Sequence, residues 1–239
     1  MRKLISLVVL LVIVTGIGVS LVVTPFGAEE AEWEPPSRRE RVNFGRYYVH
    51  EGLEETGATN IVTSVVVGYR GLDTLGEVTV LFIAATGLAA VLHAAAKKPV
   101  GSDRKPASLV VFTGCRFLFP LILLFGTYVF VHGHLTPGGG FQGGAVVASA
   151  FLLVILGCRG RRLNEETLSL AESLSGLVFV VAGLIGLVVG GAFLLDFLPR
   201  GTPYLLFSAG IIPIIYIAIA FKVGSELGAI IDKLSGSPG

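Results

Sequence analysis

The stretch LSGLVFVVAGLIGLVVGGAFLL, Leu174–Leu195, carries no charged residue. About 20 apolar residues, each adding 1.5 Å of helical rise, cross the hydrocarbon core of a bilayer, so this run predicts a transmembrane helix. Every backbone polar group inside a bilayer must be bonded internally, which leaves the helix as the expected structure for such runs. Five further runs qualify by the same criterion: Leu4–Thr24, Val78–Ala96, Ala107–Val131, Phe141–Gly157 and Pro203–Phe221.

The composition also indicates a polytopic membrane protein. The 239 residues are 53% hydrophobic and 15% charged, whereas soluble domains average about 25% charged residues. A net charge of +1 excludes a strongly basic face for nucleic acid. The two cysteines, Cys115 and Cys158, are too few for a disulfide scaffold or a metal site, and we expect both to pack as small hydrophobes.

The predicted fold class is therefore all-α, an integral membrane protein with six transmembrane helices. Short loops on one side carry most of the lysines and arginines, and the positive-inside rule then places both termini inside. The first run follows Arg2 and Lys3. A retained helix and a cleaved signal peptide both remain open for it, and its length favours the helix.

The spacing of the runs predicts three parts. Residues 1–98 hold two helices joined by a long polar, outside-facing loop, 25–73. Residues 106–225 hold four helices on short connections, and residues 226–239 form an inside-facing tail. The basic linker Lys97–Pro106, bounded by prolines, predicts a joint between the two helical parts.

The most unusual segment is HGHLTPGGGFQGG, His132–Gly144. Pro137 favours a helix start because it lacks an N–H, and glycines spaced four apart permit close helix contact in lipid. A tight turn with a packing face is one interpretation, and its structural residues are Pro137, Gly138, Gly139, Gly140, Gly143 and Gly144. The other is an ion path lined by irregular backbone, with Thr136 and Gln142 as polar ligands. A zinc site is excluded because the two histidines lack further ligands.

A second polar segment, Tyr69–Glu77, leads into the second predicted helix. Thr74 and Glu77 match the T-x-x-E pattern of a capping box before an apolar run. Arg70, Asp73 and Glu77 share one face if the helix begins early. Glu77 is therefore either a capping residue or a carrier of protons or cations.

For the other ionisable residues we expect pairing or contact with solvent. Arg116 lies inside a predicted helix, and it either extends back to the interface or pairs with a carboxylate of a neighbouring subunit. Asp196 and Arg200, four residues apart, are expected to pair with each other. The carboxylates Glu172 and Glu226 are expected to be solvated at helix ends.

Because no lysine or carboxylate lies mid-helix in predicted helices one, four, five or six, the chain by itself is not expected to conduct protons. The fifth predicted helix is rich in small residues, which favour contact with other helices and with other subunits. These residues are Gly176, Gly183, Gly186, Gly190 and Gly191. The sequence therefore predicts one piece of a larger membrane assembly.

These motifs resemble a known family. His134–Gly144, with the four helices from about residue 107 to 222, resembles the MnhB (MrpB) component of the Mrp multisubunit sodium/proton antiporters. Asn60–Glu77 and the following helix resemble the C-terminal extension of MrpA, the large component, with Gly68 and Tyr69 standing where that pattern has Asp and Phe. The matching residues there are Arg70, Gly71, Asp73, Thr74, Gly76 and Glu77. A chain that joins both parts resembles the Mrp-like module of archaeal respiratory complexes, such as membrane-bound hydrogenases and sulfur-reducing complexes.

The resemblance implies a non-catalytic, multi-pass subunit of a cation/proton antiporter module in the cell membrane, in the sodium-translocating part of a respiratory complex. It implies as partners other Mrp-type subunits, hydrogenase-like or sulfur-reductase subunits and membrane lipid, without nucleic acid. No cofactor or metal is expected beyond transported Na⁺, bound transiently. A purely structural helix-packing subunit is the alternative. The ion-path candidates among the residues are Glu77, Asp73, Thr136, Gln142, His134 and Arg116.

Overall fold

The computed structural model describes residues 44–95, without the side chains of 93–95, residues 108–157 and 163–235, and the helical positions 11, 14, 15 and 19. The chain divides into two compact units, Met1–Val42 and Asn43–Gly239. The predicted first helix, Leu4–Thr24, belongs to the first unit and lies almost wholly outside the described residues. The helices named below all belong to the second unit.

The described part of the second unit contains seven α-helices and no strand. They are α1 Phe44–Thr56, α2 Ile61–Thr63, which continues as a π-helical turn Ser64–Tyr69, α3 Gly71–Ala95, α4 Leu109–Val131, α5 Gly140–Gly157, α6 Glu165–Gly190 and α7 Ile212–Leu234. Five of them, α3 to α7, are long and apolar enough to cross a membrane. Each overlaps one of the predicted runs, so the described chain is an all-helical membrane protein.

Local sequence explains where these helices begin. The side chain of Asn164 caps α6 by accepting hydrogen bonds from the backbone N–H groups of Glu166 and Thr167. Ser108 caps α4 in the same way. Pro213 lies in the first turn of α7, where its missing N–H removes no helical hydrogen bond.

The predicted bounds of the last helix are wrong at both ends. Helix α7 begins at Ile212 and not at Pro203, because Tyr204 and Ala209 have positive φ values of 70° and 65° and interrupt any helix there. It then continues to Leu234, so most of the predicted tail 226–239 that the structure describes is helical. The hydrophobic run stopped at the first charged residue, whereas the helix did not.

The bounds of the preceding helix differ as well. Helix α6 ends at Gly190, and Gly191 closes it in the left-handed conformation with φ of 81°. The chain then folds back, so that Phe193 and Leu195 occupy the space beside three glycines: Gly183, Gly186 and Gly190. Three of the five glycines predicted to receive another helix or subunit therefore receive the chain's own loop after α6, whereas Gly176 faces Lys222 of α7 as predicted.

The predicted polar loop 25–73 contains helical structure over most of its described part, because α1, α2 and the π-helical turn all fall within it. Glu55 of α1 accepts hydrogen bonds from the hydroxyl of Tyr47 in the same helix at 2.6 Å and from that of Tyr69 in the π-helical turn at 2.5 Å, so it joins α1 to this turn. Burial and the bond to Glu55 raise the pKa of the Tyr69 hydroxyl, so the tyrosine remains a donor.

The predicted capping box is also absent from the start of α3. The helix begins at Gly71, and Thr74 lies inside it. The Thr74 hydroxyl donates 2.8 Å to the carbonyl oxygen of Val66 in the π-helical turn. Thr74 therefore ties α3 to the preceding turn and does not cap the helix.

Helix α7 lies at the centre of the described unit. It contacts α3, α4, α5 and α6, and it is the most buried of the five long helices, whereas α3 and α4 expose most of their surface. Fully buried residues along it include Ile215, Ile219 and Glu226. The functional groups of α7 are therefore surrounded by the other helices.

Candidate functional site

The loop between α4 and α5 contains the first part of the glycine-rich motif His132–Gly144. Residues of the segment Thr59–Thr63 donate hydrogen bonds to the backbone carbonyl groups of this loop. The Asn60 side-chain amide donates to the carbonyl oxygens of Gly133 at 2.8 Å and Thr136 at 3.0 Å. The Thr63 hydroxyl also donates a hydrogen bond of 2.8 Å to the Gly133 carbonyl oxygen. It shares a second hydrogen bond, of 2.7 Å, with the hydroxyl of Tyr216 on α7. The backbone N–H of Asn60 donates to the His134 carbonyl at 3.1 Å.

The glycines of the motif allow α5 to approach its neighbours. A Cβ at Gly140 would lie 2.6 Å from Cβ of Ile219, and one at Gly144 would lie 2.8 Å from Cβ of Val223. A Cβ at Gly143 would lie 2.7 Å from Cβ of Phe130 on α4. The interpretation as a turn with a packing face accounts for these contacts, although α5 begins at Gly140 and not near Pro137.

His134 is the buried polar group of this loop, with an exposed fraction of 0%. Neither ring nitrogen makes a hydrogen bond of standard geometry within the described residues. Burial lowers the pKa of the imidazole below 6.5, while the carbonyls of Leu205 and Leu206 act in the opposite direction. His134 is therefore held neutral.

The structure does not unite the predicted ion-path residues. Asp73 pairs with Arg70 at 2.5 Å in an exposed ion pair at the start of α3. Glu77 and Gln142 are exposed, and within the described residues no hydrogen bond or ion pair joins Glu77 to Gln142 or Thr136. The Thr136 hydroxyl donates to the carbonyl of His132 at 3.3 Å.

Arg116 is exposed on α4, and its guanidinium lies 5.6 Å from the ring centroid of Phe112 on the same helix. The predicted pair of Asp196 and Arg200 is wrong. Arg200 donates to the Glu54 carbonyl at 3.0 Å, and Asp196 instead accepts from the backbone N–H of Ile211 at 3.1 Å.

A cluster of charged side chains lies where the sequence predicted none. Lys222 on α7 places its Nζ 2.6 Å from Oε1 of Glu226, one turn further along the same helix, and 3.5 Å from Oε1 of Glu172 on α6. The Lys222 ammonium also lies 5.1 Å from the ring centroid of Phe82 on α3. We name Lys222, Glu226 and Glu172 the ionic triad.

The ionic triad is largely withdrawn from solvent. The side chains of Lys222, Glu226 and Glu172 have exposed fractions of 11%, 1% and 23%. The prediction that both glutamates are solvated at helix ends is therefore wrong for Glu226. The triad was missed because both helices continue past the apolar runs, and the available signal was the four-residue spacing of Lys222 and Glu226, which places them on one helical face.

A cavity of about 320 Å³ lies beside the triad, between α3, α6 and α7. Helix α3 lines it with mostly apolar groups and Thr86, whereas the charged groups of the lining, Glu172, Glu226 and Lys233, come from α6 and α7. The charged groups, two carboxylates and one ammonium, therefore line the cavity on the side formed by α6 and α7.

The triad holds one ammonium between two carboxylates. With all three groups ionised it carries one excess negative charge, which is costly in a low-dielectric environment. Binding a proton or a monovalent cation removes that excess. Within the described residues no group of three or more His, Cys, Asp or Glu side chains could hold a metal ion.

Comparison with known proteins assigns the chain to a family. Residues 110–229 match the family of domains related to the MnhB subunit of the Na⁺/H⁺ antiporter. The chain belongs to this MnhB-related family. Residues 8–102 match a second family, the MbhE component of MBH. The three triad residues of this MnhB-related chain lie in the first match and Phe82 lies in the second, so the cavity is built from both.

The chain is also similar to chains of two solved structures and to a relative of known sequence. The MnhB-related chain is 45% identical, with a TM-score of 0.80, to a chain of the membrane-bound sulfane sulfur reductase, an archaeal respiratory membrane complex, and the match covers 98% of this chain and 97% of that one. A chain of the Mrp complex from Dietzia sp. DQ12-45-1b is 28% identical with a TM-score of 0.72, over 98% of this chain and 26% of that one. An uncharacterised protein of Methanocaldococcus jannaschii is 30% identical over 222 residues, 74% of this chain and 81% of the relative.

Proposed function

We propose that this chain is a non-catalytic membrane subunit of a multisubunit cation/proton antiporter module, in the sodium-translocating part of a respiratory complex. The family description that names a Na⁺/H⁺ antiporter and the near-complete match to a chain of a respiratory membrane complex support the assignment. The proposed partners are other Mrp-type subunits, sulfur-reductase or hydrogenase-like subunits, and membrane lipid.

One observation carries the proposal that the chain handles charge: Glu226, at 1% exposure, shares the Lys222 ammonium with a second carboxylate inside two long apolar helices. An ionisable group in a membrane segment is costly and is usually paired or functional. Here the pairing is incomplete by one charge. We therefore assign proton or cation exchange to the ionic triad.

The test is transport by the assembled complex in membrane vesicles. Glu226→Gln keeps the shape of the side chain but removes its charge, and it is expected to lower sodium-dependent proton transport at least about tenfold while the complex assembles normally. Glu166→Gln, on the exposed first turn of α6, is the matched control and is expected to transport normally. Normal transport by Glu226→Gln would exclude the triad from the ion path.

The remaining sequence candidates are tested in the same assay. Glu77 is exposed on α3, so its participation requires a group outside the described residues of this chain. Loss of transport in Glu77→Gln, with Glu226→Gln normal, would move the ion path to that exposed face. Mass spectrometry of the purified complex verifies assembly and identifies the partners.

A purely structural role is the second candidate, and the α4–α5 loop favours it. The carbonyl oxygens of Gly133 to Thr136 accept hydrogen bonds from the Thr59–Thr63 segment, so they are engaged and not directed at an ion. Under this candidate all substitutions of polar residues leave transport unchanged as long as the complex assembles.

A further inference from the structure

A second cavity adjoins the one beside the ionic triad. It has a volume of about 240 Å³ and lies between the first turns of α6 and the last turns of α7. The two cavities share part of their walls, and the shared residues are Ser169, Glu172, Ala229 and Lys233. Together they extend from the end of the helical unit, at Glu165, to Glu226 at the triad.

The lining of the second cavity is acidic. Glu165, Glu172 and Asp232 contribute carboxylates, against the single ammonium of Lys233. A cleft lined with one sign of charge between low-dielectric walls raises the local concentration of the opposite ion, by about 10- to 1,000-fold in favourable cases. The lining therefore favours cations over anions.

Two buried carboxylate oxygens on these walls have no hydrogen-bond partner within the described residues. Asp232 is 5% exposed and its Oδ1 is unpaired, and Glu226 is 1% exposed and its Oε2 is unpaired. Leaving a buried charged acceptor unsatisfied is costly. Glu226 lines the first cavity and Asp232 the second, so each cavity has in its wall a buried carboxylate that is not fully paired within the described residues.

We propose that the two cavities form one vestibule that admits small hydrated monovalent cations at the end where α6 begins and α7 ends, and that Lys222 closes its inner end. The proposal rests on the proposed function, because it supplies the route by which an ion reaches the triad. Asp232 binds the entering cation first. The Lys222 ammonium, held at 2.6 Å by Glu226 and placed over Phe82, repels it electrostatically at the inner end.

The vestibule is tested by the reaction of introduced cysteines in the assembled complex. Ser169 lines both cavities and Ser173 only the inner one. Each is changed to Cys in a chain in which Cys115 and Cys158 are replaced by Ser. The probes are a cationic and an anionic methanethiosulfonate of similar size, applied from the aqueous phase to membrane vesicles. The measurement is the rate of thiol modification by each probe relative to the rate of the same probe with a free thiol in solution, because a thiolate reacts intrinsically faster with a cation.

The cationic probe is expected to modify Ser169→Cys about tenfold faster than the anionic probe. Ser173→Cys is expected to react more slowly with the same preference. Asp232→Asn is expected to reduce the preference, whereas Glu166→Gln, outside both cavities, leaves it unchanged. Equal rates with the two probes, or no modification of Ser169→Cys by either probe, would overturn the proposal.

Modification is measured without any transport, so the two proposals fail separately. A charge-selective vestibule together with normal transport by Glu226→Gln would retain the cation route and reject the triad as the exchange site. Loss of transport by Glu226→Gln together with equal probe rates would retain the triad and reject this route.

Discussion

The α4–α5 loop, which contacts α7, and the ionic triad, which is partly on α7, are polar regions that differ in how their polar groups are satisfied. In the loop, backbone carbonyls meet the amide and hydroxyl donors of Asn60 and Thr63, and the buried side chain His134 is neutral. In the triad, one ammonium faces two carboxylates. The backbone carbonyls of the first region, from Gly133 to Thr136, are all bonded and hold helices together, with only the neutral His134 ring left without a hydrogen bond among the described residues, whereas the triad has one carboxylate more than it has ammonium groups.

The comparison shows that a conspicuous motif and a functional site need not coincide. Clustered glycines are visible in a sequence because few other segments contain them, and here they bring backbones into contact. The triad is less conspicuous, because Glu172 lies far along the chain from Lys222 and Glu226 and only tertiary structure brings it to them. The substitutions below change side chains of the triad or of the loop region, and the resulting changes in stability compare the two regions.

The largest expected effect is that of Lys222→Met. The substitution leaves Glu226 buried without its counter-charge, and breaking a buried ion pair from one side costs about 3–5 kcal/mol. Thermal unfolding of the purified complex in detergent measures the loss. The double variant Lys222→Met/Glu226→Leu removes both charges and is expected to recover much of it. Equal destabilisation in the single and double variants would contradict the electrostatic explanation.

Gly140→Ala tests the packing in the loop region and is expected to have the next largest effect. The added methyl meets Cβ of Ile219 and the backbone carbonyl of Tyr216, neither of which yields easily, and overpacking costs about 1–3 kcal/mol. The matched control is Gly76→Ala on α3, whose Cβ has no neighbour within 4 Å. A similar melting temperature for both variants would show that α5 and α7 tolerate greater separation.

Asn60→Ala and Asn164→Ala compare two helix-capping residues. Asn60 also forms hydrogen bonds with the α4–α5 loop, whereas Asn164, within the described residues, only caps its helix. Each asparagine caps a helix, a function worth about 1 kcal/mol. Asn60 also donates two hydrogen bonds to the loop, each worth about 1 kcal/mol. Asn60→Ala is therefore expected to destabilise the chain more, as read by urea titration in mild detergent. Equal losses would mean that these loop bonds contribute nothing net.

The smallest expected effect concerns pH and His134. Its pKa is lowered in the folded chain, so the unfolded chain binds a proton more readily, and stability falls as the pH drops below 6.5 towards the lower folded value. Above pH 6.5 the stabilising contribution of the neutral His134 ring is fully present. His134→Gln is expected to flatten the dependence of the melting temperature on pH between about 7 and 5. An unchanged slope would show that the ring is not protonated on unfolding in this range.

The sequence predicted several features that the structure bears out. Long apolar runs predicted helices α3 to α7, because length and hydropathy are local properties that the bilayer imposes. Four-residue glycine spacing predicted a packing face on α5, because that spacing repeats on one side of any helix. The family resemblance rested on contiguous motifs and is confirmed.

Other predictions failed because they depended on partners distant in the chain. Asp196 lies four residues from Arg200, yet each bonds elsewhere once the return loop folds over α6. The prediction that Thr74 caps α3 is wrong because α3 starts earlier, at Gly71. The Thr74 hydroxyl instead donates a hydrogen bond to the Val66 carbonyl in the π-helical turn. Spacing along the chain indicates which contacts are available, and the neighbours select among them.

The sequence by itself determined the class of this protein, the positions of most of its long helices and its family, because these follow from local hydrophobicity and contiguous motifs. Only the tertiary structure decided that Lys222, Glu226 and Glu172 meet beside α3 and that α7 continues past its apolar run. The physical reason is that a charge within a membrane helix is tolerated when other helices bring its partners. Lys222 and Glu226 lie four residues apart on one helix, whereas Glu172 reaches them through packing and not through its distance along the chain.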